Sequence, residues 1–368
     1  MAVTLTEDQT LLQDAAERYL RESYDFNHRR ENVAQGIYSD PAQWRAFAEM
    51  GWLALPYPES LGGLEMGARE MAILAELCGR HLVTEPLIDS LAVTSKVIAA
   101  SDRAEQLVPQ VASGEIVPVA CIDERATSRL APPATLLAHS AGSWRLTGEK
   151  PWINAGASAT HFVVLARHDE GLAWVIVASD EAGMECDRYP THDGRGGVTC
   201  RFDLAIGAEQ ILLTGDAAQK ALDAYRELAM TLASAEVLGA AHAALDTTVE
   251  YTKQREQFGQ PLSSFQALQH RMADMLIKIE LTRSLVYAAC NAADADSPDR
   301  ARFARAAKVK ASTVGREVSQ EAIQLHGGIA TTDEYIVGHF FKRITALESW
   351  VCSRGEALQE FMAMGGQA

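Results

Sequence analysis

Arg255-Glu256-Gln257-Phe258-Gly259-Gln260-Pro261, followed closely by Phe265-Gln266-Ala267-Leu268-Gln269, sets the architecture of the C-terminal third. One long helix-period stretch ends at the arginine and another starts at Phe265, with Gly259 permitting a sharp turn between them. Arg255 suits bidentate phosphate contact, and Phe258 offers an aromatic face. A cation is also simply favoured at a helix C-terminus, and a phenylalanine can staple the turn. Upstream, Leu228–Tyr251 carries Ala229, Ala233, Ser234, Ala235, Gly239, Ala240 and Ala241, small side chains that let helix backbones approach closely. Downstream, the period runs through Phe265–Ala289. Ser297-Pro298 then supplies a cap and first-turn pair for a helix over Asp299–Leu325. That helix ends at Gln324-Leu325-His326-Gly327-Gly328, where two glycines either stop the helix or bare their N–H groups to an anion. Long helices with short connections predict a bundle over 215–368.

Before this bundle the pattern is different. Ile116–Cys121, Thr135–Ala138, Phe162–Leu165, Ala173–Val177 and Val198–Phe202 are short, β-branched and bounded by Gly, Asp, Ser and Pro. No helix-length segment separates them, which predicts a small antiparallel β domain over 113–214. The first 112 residues read as helices. Thr6 and Gln9 have capping-box spacing, and Leu12, Ala15, Ala16 and Tyr19 share a face. Trp44, Phe47, Ala48 and Met50 mark a second helix ending at Gly51. After the turn Leu61-Gly62-Gly63-Leu64, Glu70–Leu77 marks a third, and Leu107–Ala112 closes the region. The expected fold class is therefore α+β, helical, then β, then helical, with no internal repeat.

At 368 residues the chain has room for two or three domains. A hydrophobic fraction of 48% and a charged fraction of 22% describe a globular chain. The net charge is 33 − 49 = −16, which argues against nucleic acid or an anionic membrane as partner. No run of about 18 uncharged apolar residues appears, and the start MAVTLTEDQT lacks a secretory pattern. Cys78, Cys121, Cys186, Cys200, Cys290 and Cys352 are scattered without a C-x-x-C pair. Reduced thiols in a cytoplasmic protein are expected, rather than a disulfide framework or a zinc knuckle.

Arg255-x-x-Phe258-Gly259 leading into Phe265-Gln266-x-x-Gln269 and Ala273-Asp274-Met275, then Gln324–Gly328 with Asp333-Glu334-Tyr335, resembles the acyl-CoA dehydrogenase family. Leu61–Leu64 with Glu70, and Gly148-Glu149-Lys150-Pro151-Trp152-Ile153-Asn154, resemble it too. Each motif is weak alone, but their order along nearly the whole chain is specific. The resemblance implies an N-terminal helical domain, a middle β-barrel and a C-terminal four-helix bundle. It also implies FAD, a tetramer, and α,β-desaturation of acyl-CoA thioesters. By resemblance, Arg255 and Phe258 contact the FAD of a neighbouring subunit at pyrophosphate and adenine. Phe265 and Gln266 line that arm, Gln324, Gly327 and Gly328 close it, and Trp152 walls the flavin. Asn154 stands where a Thr or Ser normally hydrogen-bonds the ring.

The chain departs from the family in two places. Where the family reads Thr-Glu-Pro-x-Ala-Gly-Ser-Asp, this chain reads Asp123-Glu124-Arg125-Ala126-Thr127-Ser128-Arg129-Leu130, keeping only the acid. Thr84-Glu85-Pro86 looks similar but lies in the helical region. The two family positions for the catalytic glutamate fall on Val351 and Ala229, and neither can accept a proton. Glu348 and Glu227 are the nearest acids. The resemblance is closest to the small, divergent subunits of bacterial heteromeric acyl-CoA dehydrogenases of the pimeloyl-CoA or steroid side-chain type, which implies a related partner subunit and an electron-transfer flavoprotein. The alternatives are a self-sufficient homotetramer with a displaced base, or a non-enzymatic acyl-CoA-binding scaffold. His192-Asp193 reads as a surface loop, and Arg302, Arg305, Lys308 and Lys310 as a solvated helix face. No spacing suggests a metal.

Overall fold

The computed structural model describes residues 5–124, 132–140, 142–169 and 171–365. In chain order the elements are α1 (Glu7–Ser23), α2 (Phe26–Ala34), α3 (Pro41–Glu49), α4 (Ala68–His81), α5 (Leu87–Val93), α6 (Ala104–Ala112), then β1 (Pro118–Cys121), β2 (Leu136–Ser140), β3 (Ser143–Asn154), β4 (His161–His168), β5 (Gly171–Ala178), β6 (Met184–Tyr189), β7 (Gly197–Ile206) and β8 (Ile211–Thr214). The chain ends in α7 (Gly215–Gln254), α8 (Gln266–Asp294), α9 (Arg300–His326), α10 (Ile336–Ser349) and α11 (Arg354–Gly365). These elements gather into two compact units. One comprises 1–31, 68–83 and 230–368, and the other 32–67 and 84–229.

The first unit is helical. Its N-terminus carries the expected capping box: Thr6 Oγ1 accepts from the Gln9 N–H, and Gln9 Oε1 accepts from the Thr6 N–H. The buried face of α1 is Ala16 and Leu20, while Ala15, expected inside, is exposed. The small residues of α7 do what their size allows. A Cβ on Gly239 would lie 1.7 Å from the Glu76 carbonyl oxygen of α4, and one on Gly79 would lie 1.9 Å from that of Glu236. The two glycines thus let α4 and α7 touch backbone to backbone. Gly315 in α9 instead makes room for side chains, since a Cβ there would meet the methyl groups of Val237 and Ile344. Helix α9 also packs on α8, α10 and α11, completing the bundle. It starts one residue later than expected, with Ser297 Oγ accepting from the Asp299 N–H. Helix α7 is long and apolar enough to cross a membrane, but 94% of its most apolar window is buried inside the protein. A buried ion pair, Arg343–Glu236 at 2.7 Å, sits in this core, and Arg343 also donates to the Val83 carbonyl at 2.8 Å.

The second unit is built on one eight-stranded sheet in the order β6-β7-β3-β2-β4-β5-β8, with β1 on β4. Every strand contributes to a single apolar cluster that includes Val119, Leu137, Leu146, Val164, Val175 and Phe202, with Met184 and Ile211 packed against it. This is the barrel-like middle domain, left open between β6 and β8. The purely antiparallel expectation needs correcting: β1 and β2 both run parallel to β4. Parallel partners require a long connection, and the β2–β3 hairpin provides it between β1 and β4. Seven elements have no counterpart in the sequence reading, α2, α5, α10 and α11 among the helices and β3, β6 and β8 among the strands; α2, β3 and β6 are polar.

Candidate functional site

Helix α7 ends at Gln254, and the Arg255 N–H still donates to the Tyr251 carbonyl at 2.8 Å. The chain then turns back on itself, pairing Gln257 with Gln260 and Glu256 with Pro261. Phe258 (φ 56°) and Gly259 (φ 78°) are both left-handed, as a two-residue hairpin loop of primed type requires. A phenylalanine pays steric strain at that φ, and the conformation leaves its ring 90% exposed. Phe265 meets this ring edge-on, centroids 6.1 Å apart. Arg255 and Gln266 are exposed beside it.

Tyr251 ties this hairpin to the end of α9. Its ring stacks on His326 at 4.4 Å, and its hydroxyl donates to the His326 carbonyl at 3.2 Å. The next residue, Gly327, is left-handed (φ 69°), and a Cβ on Gly327 or Gly328 would meet nothing within 4 Å. Gln324, one turn back, is exposed at a groove of about 520 Å³ that Arg271, Lys278 and Glu321 also line. The two expected segments therefore emerge at one end of the helical unit. They present a guanidinium, an aromatic face and bare peptide N–H groups, a set suited to an aromatic ligand bearing phosphate.

In the sheet unit, β3 pairs with β7 up to Lys150↔Cys200 and resumes at Ile153↔Val198. Pro151 and Trp152 thus bulge opposite Thr199. Trp152 is left-handed (φ 58°) and 55% exposed, so the bulge throws the indole off the sheet. Asn154 returns to the ladder opposite Gly197 and is half-buried. The bulge is anchored by Lys150, whose side chain has no exposed surface. Its Nζ lies 2.7 Å from Glu124 Oε1 and 3.4 Å from the Ile122 carbonyl. Burial pushes the Lys150 ammonium below its ordinary range despite Glu124. For Glu124 burial acts upward, yet Lys150 and the N–H groups of Ala134 and Thr135 together hold it below the usual carboxylate value. Nothing local in the sequence marks Lys150 as the partner of Glu124, 26 positions away. Residues 125–130 of the altered flavin strand lie outside the described residues.

Both expected base positions are inside the protein. Val351 is 1% exposed and left-handed (φ 68°), and Ala229 is fully buried within α7. The Val351 turn is pinned from two sides. Lys308 Nζ donates to the Leu347 and Trp350 carbonyls at 2.6 and 3.0 Å, and Cys352 Sγ lies 3.4 Å from Met230 Sδ. Glu348 pairs with Arg316, and Glu227 is half-buried.

Two further expectations need correcting. Lys308 and Arg305 do not belong to a solvated face: both are buried, and Arg305 pairs with Glu360 at 2.6 Å. These two cations hold α10 and α11, while Arg302 and Lys310 are exposed as expected. Nor is the His192-Asp193 loop a plain surface loop. Asp193 is buried and pairs with Arg195 at 2.7 Å, while His192 is exposed. Glu85, in the Thr84-Glu85-Pro86 look-alike, is buried and accepts from the Asp40 N–H.

Comparison with known proteins covers almost all of the chain. Residues 6–115 match the N-terminal domain of acyl-CoA dehydrogenases, 120–204 the middle domain, and 216–351 the C-terminal domain. Acyl-CoA dehydrogenase IpdE2 of Mycobacterium tuberculosis is 31% identical over 83% of this chain and 80% of its own. Probable acyl-CoA dehydrogenase fadE25 of Mycobacterium leprae is 29% identical over 79% of each. Among solved structures, a variant of the Tcur3481–Tcur3483 steroid ACAD superposes with a TM-score of 0.89 at 28% identity, covering 99% of this chain and 100% of that one.

Proposed function

The chain belongs to the acyl-CoA dehydrogenase family, and on that premise we propose that it is a subunit of an FAD-dependent acyl-CoA dehydrogenase whose catalytic base comes from a related partner subunit. FAD is the family's cofactor, and when bound it supplies the hydride acceptor for the substrate β hydrogen. The residues present fit it. In this reading Arg255 holds the pyrophosphate of a neighbouring subunit's FAD and Phe258 stacks on the adenine. Phe265 and Gln266 line that arm, while Gln324 and the backbone of Gly327 and Gly328 close it. Trp152 and Asn154 stand at the isoalloxazine wall of this chain's own sheet unit, where the altered Asp123–Leu130 stretch leaves the flavin cradle incomplete.

The observation that carries the proposal is the pair of apolar, buried side chains at the two base positions, Val351 and Ala229. Removing a proton α to a thioester needs a positioned carboxylate, and a general base contributes about 10²–10⁴-fold. Glu348, the nearest acid in sequence to the first position, is engaged by Arg316. The double designation of the similar Tcur3481–Tcur3483 enzyme is in keeping with a paired assembly. The substrate class is acyl-CoA, within lipid or steroid catabolism in the cytoplasm, with an electron-transfer flavoprotein as electron acceptor. The test is single-turnover bleaching of flavin absorbance with a panel of acyl-CoAs. The complex with the partner subunit should bleach and the lone chain should not. Bleaching by the lone chain overturns the proposal.

A further inference from the structure

Cys186 and Cys200 face each other directly across the β6–β7 ladder, and their sulfur atoms are 2.7 Å apart, inside van der Waals contact. Both are free thiols. Cys200 is buried in the apolar cluster of the sheet unit, whereas Cys186 is half-buried on β6, the terminal strand of the sheet. We propose that Cys186 and Cys200 are a peroxide-oxidisable thiol pair that closes into a cross-strand disulfide and fastens the edge strand β6 to β7. The hydrogen bond shared with Cys200 holds the Cys186 thiol below its ordinary range against the effect of burial, with Arg188 assisting. The same bond, together with burial, pushes Cys200 up. Cys186 is the sulfur that solvent reaches, Cys200 being fully buried behind it, and Cys186 is therefore the nucleophile.

The chemistry balances with a hydroperoxide as oxidant. The Cys186 sulfur attacks one peroxide oxygen, the O–O bond breaks, and an alcohol (water, for hydrogen peroxide) leaves with the thiol proton, giving Cys186 sulfenic acid. Cys200 sulfur then attacks Cys186 sulfur and the S–O bond breaks. Water departs with the Cys200 proton, and the S–S bond remains. Two thiols are oxidised and one hydroperoxide is reduced. The bridge acts close to the Trp152 bulge, since Tyr189 at the end of β6 is hydrogen-bonded to the Trp152 backbone and pairs with Gly197. Neither the pairing nor its test calls on flavin or partner.

The test uses the full chain, reduced, desalted and titrated with hydrogen peroxide, then alkylated under denaturing conditions and mapped without reduction. The expected result is loss of two of the six thiols, recovery of a linked Cys186–Cys200 peptide, and slower hydrogen exchange in β6. In the Cys200→Ala variant a sulfenic-acid trap should label Cys186, and in Cys186→Ser the Cys200 thiol should survive the same dose. Over-oxidation of Cys186 in the wild-type chain with Cys200 still alkylatable would overturn the proposal. So would survival of all six thiols, or equal oxidation of Cys200 without Cys186.

Discussion

Lys150 is a cation with no exposed surface, and Glu124 makes its burial tolerable. Breaking such a pair on one side leaves an uncompensated buried charge. Glu124→Ala is expected to destabilise the sheet unit by about 3–5 kcal/mol. Replacing both partners, as Lys150→Met with Glu124→Gln, should cost less than the single change, because no charge is stranded. Urea unfolding of the variants checks both statements. Asp89 is the opposite case. Burial pushes its carboxyl up to about 7, although Tyr225 and the Ala120 N–H donate to it and Arg195 is near. In the unfolded chain the group returns to about 3.9. Between those values the folded protein binds more protons than the unfolded, so this residue's contribution to stability is complete below about 4 and is lost as pH rises through about 7. Asp89→Asn should flatten that part of the stability–pH curve, on the order of 4 kcal/mol. An unchanged slope from thermal melts across this window would count against the raised value.

Elements meet here through backbones as much as through side chains. Gly239→Ala in α7 would drive a methyl into the Glu76 carbonyl of α4. Overpacking of this kind costs about 1–3 kcal/mol or more, and denaturant midpoints should show it. At the hairpin after α7 the expected effect is on ligand rather than fold. Arg255 is exposed and its backbone makes the turn, so Arg255→Ala should leave the melting temperature near wild type. It should weaken FAD binding by the complex by about 1.5–3 kcal/mol, the worth of a charged hydrogen bond. Equilibrium dialysis of FAD reads this directly. The same elements show how far the sequence could be read. The capping box at Thr6 and Gln9, the small-residue face of α7 and the β-branched runs of β4 and β5 were visible because each is a local pattern with a fixed period. Helix α2, FNHRRENVA, has no such period and depends on tertiary contact, with buried Arg29 donating to the Leu82 carbonyl at 2.8 Å. Strand β3 was hidden by Gly148, Pro151 and its charges, the features that make its bulge. The exposed phosphate-type residues Arg255, Gly327 and Gly328 were legible as a motif. The Lys150–Glu124 anchor and the Lys308 clamp were not, because each joins segments far apart in sequence.

For the molecule as a whole, what is left uncovered argues for assembly. Phe258 exposes 90% of its surface, Trp152 exposes 55%, and on α8 Leu276, Ile277 and Leu281 are 43%, 56% and 64% exposed. Large apolar groups held out by strained or regular backbone are the usual mark of a ligand or partner surface. The arm of the helical unit keeps its charge, ring and bare glycines, whereas the flavin strand of the sheet unit keeps only Glu124, which is occupied by Lys150. On the proposed function, such a subunit gives more to its neighbour's cofactor than it takes for its own. In a complex with the related subunit, the expected FAD content is therefore half the number of chains, each FAD held on the partner's sheet unit and closed by Arg255 and Phe258 of this one. Flavin absorbance after acid release, set against protein concentration by amino-acid analysis, gives that ratio. One FAD per chain would mean that the Asp123–Leu130 stretch still cradles a flavin and that the division of labour proposed for the two subunits lies only in the base.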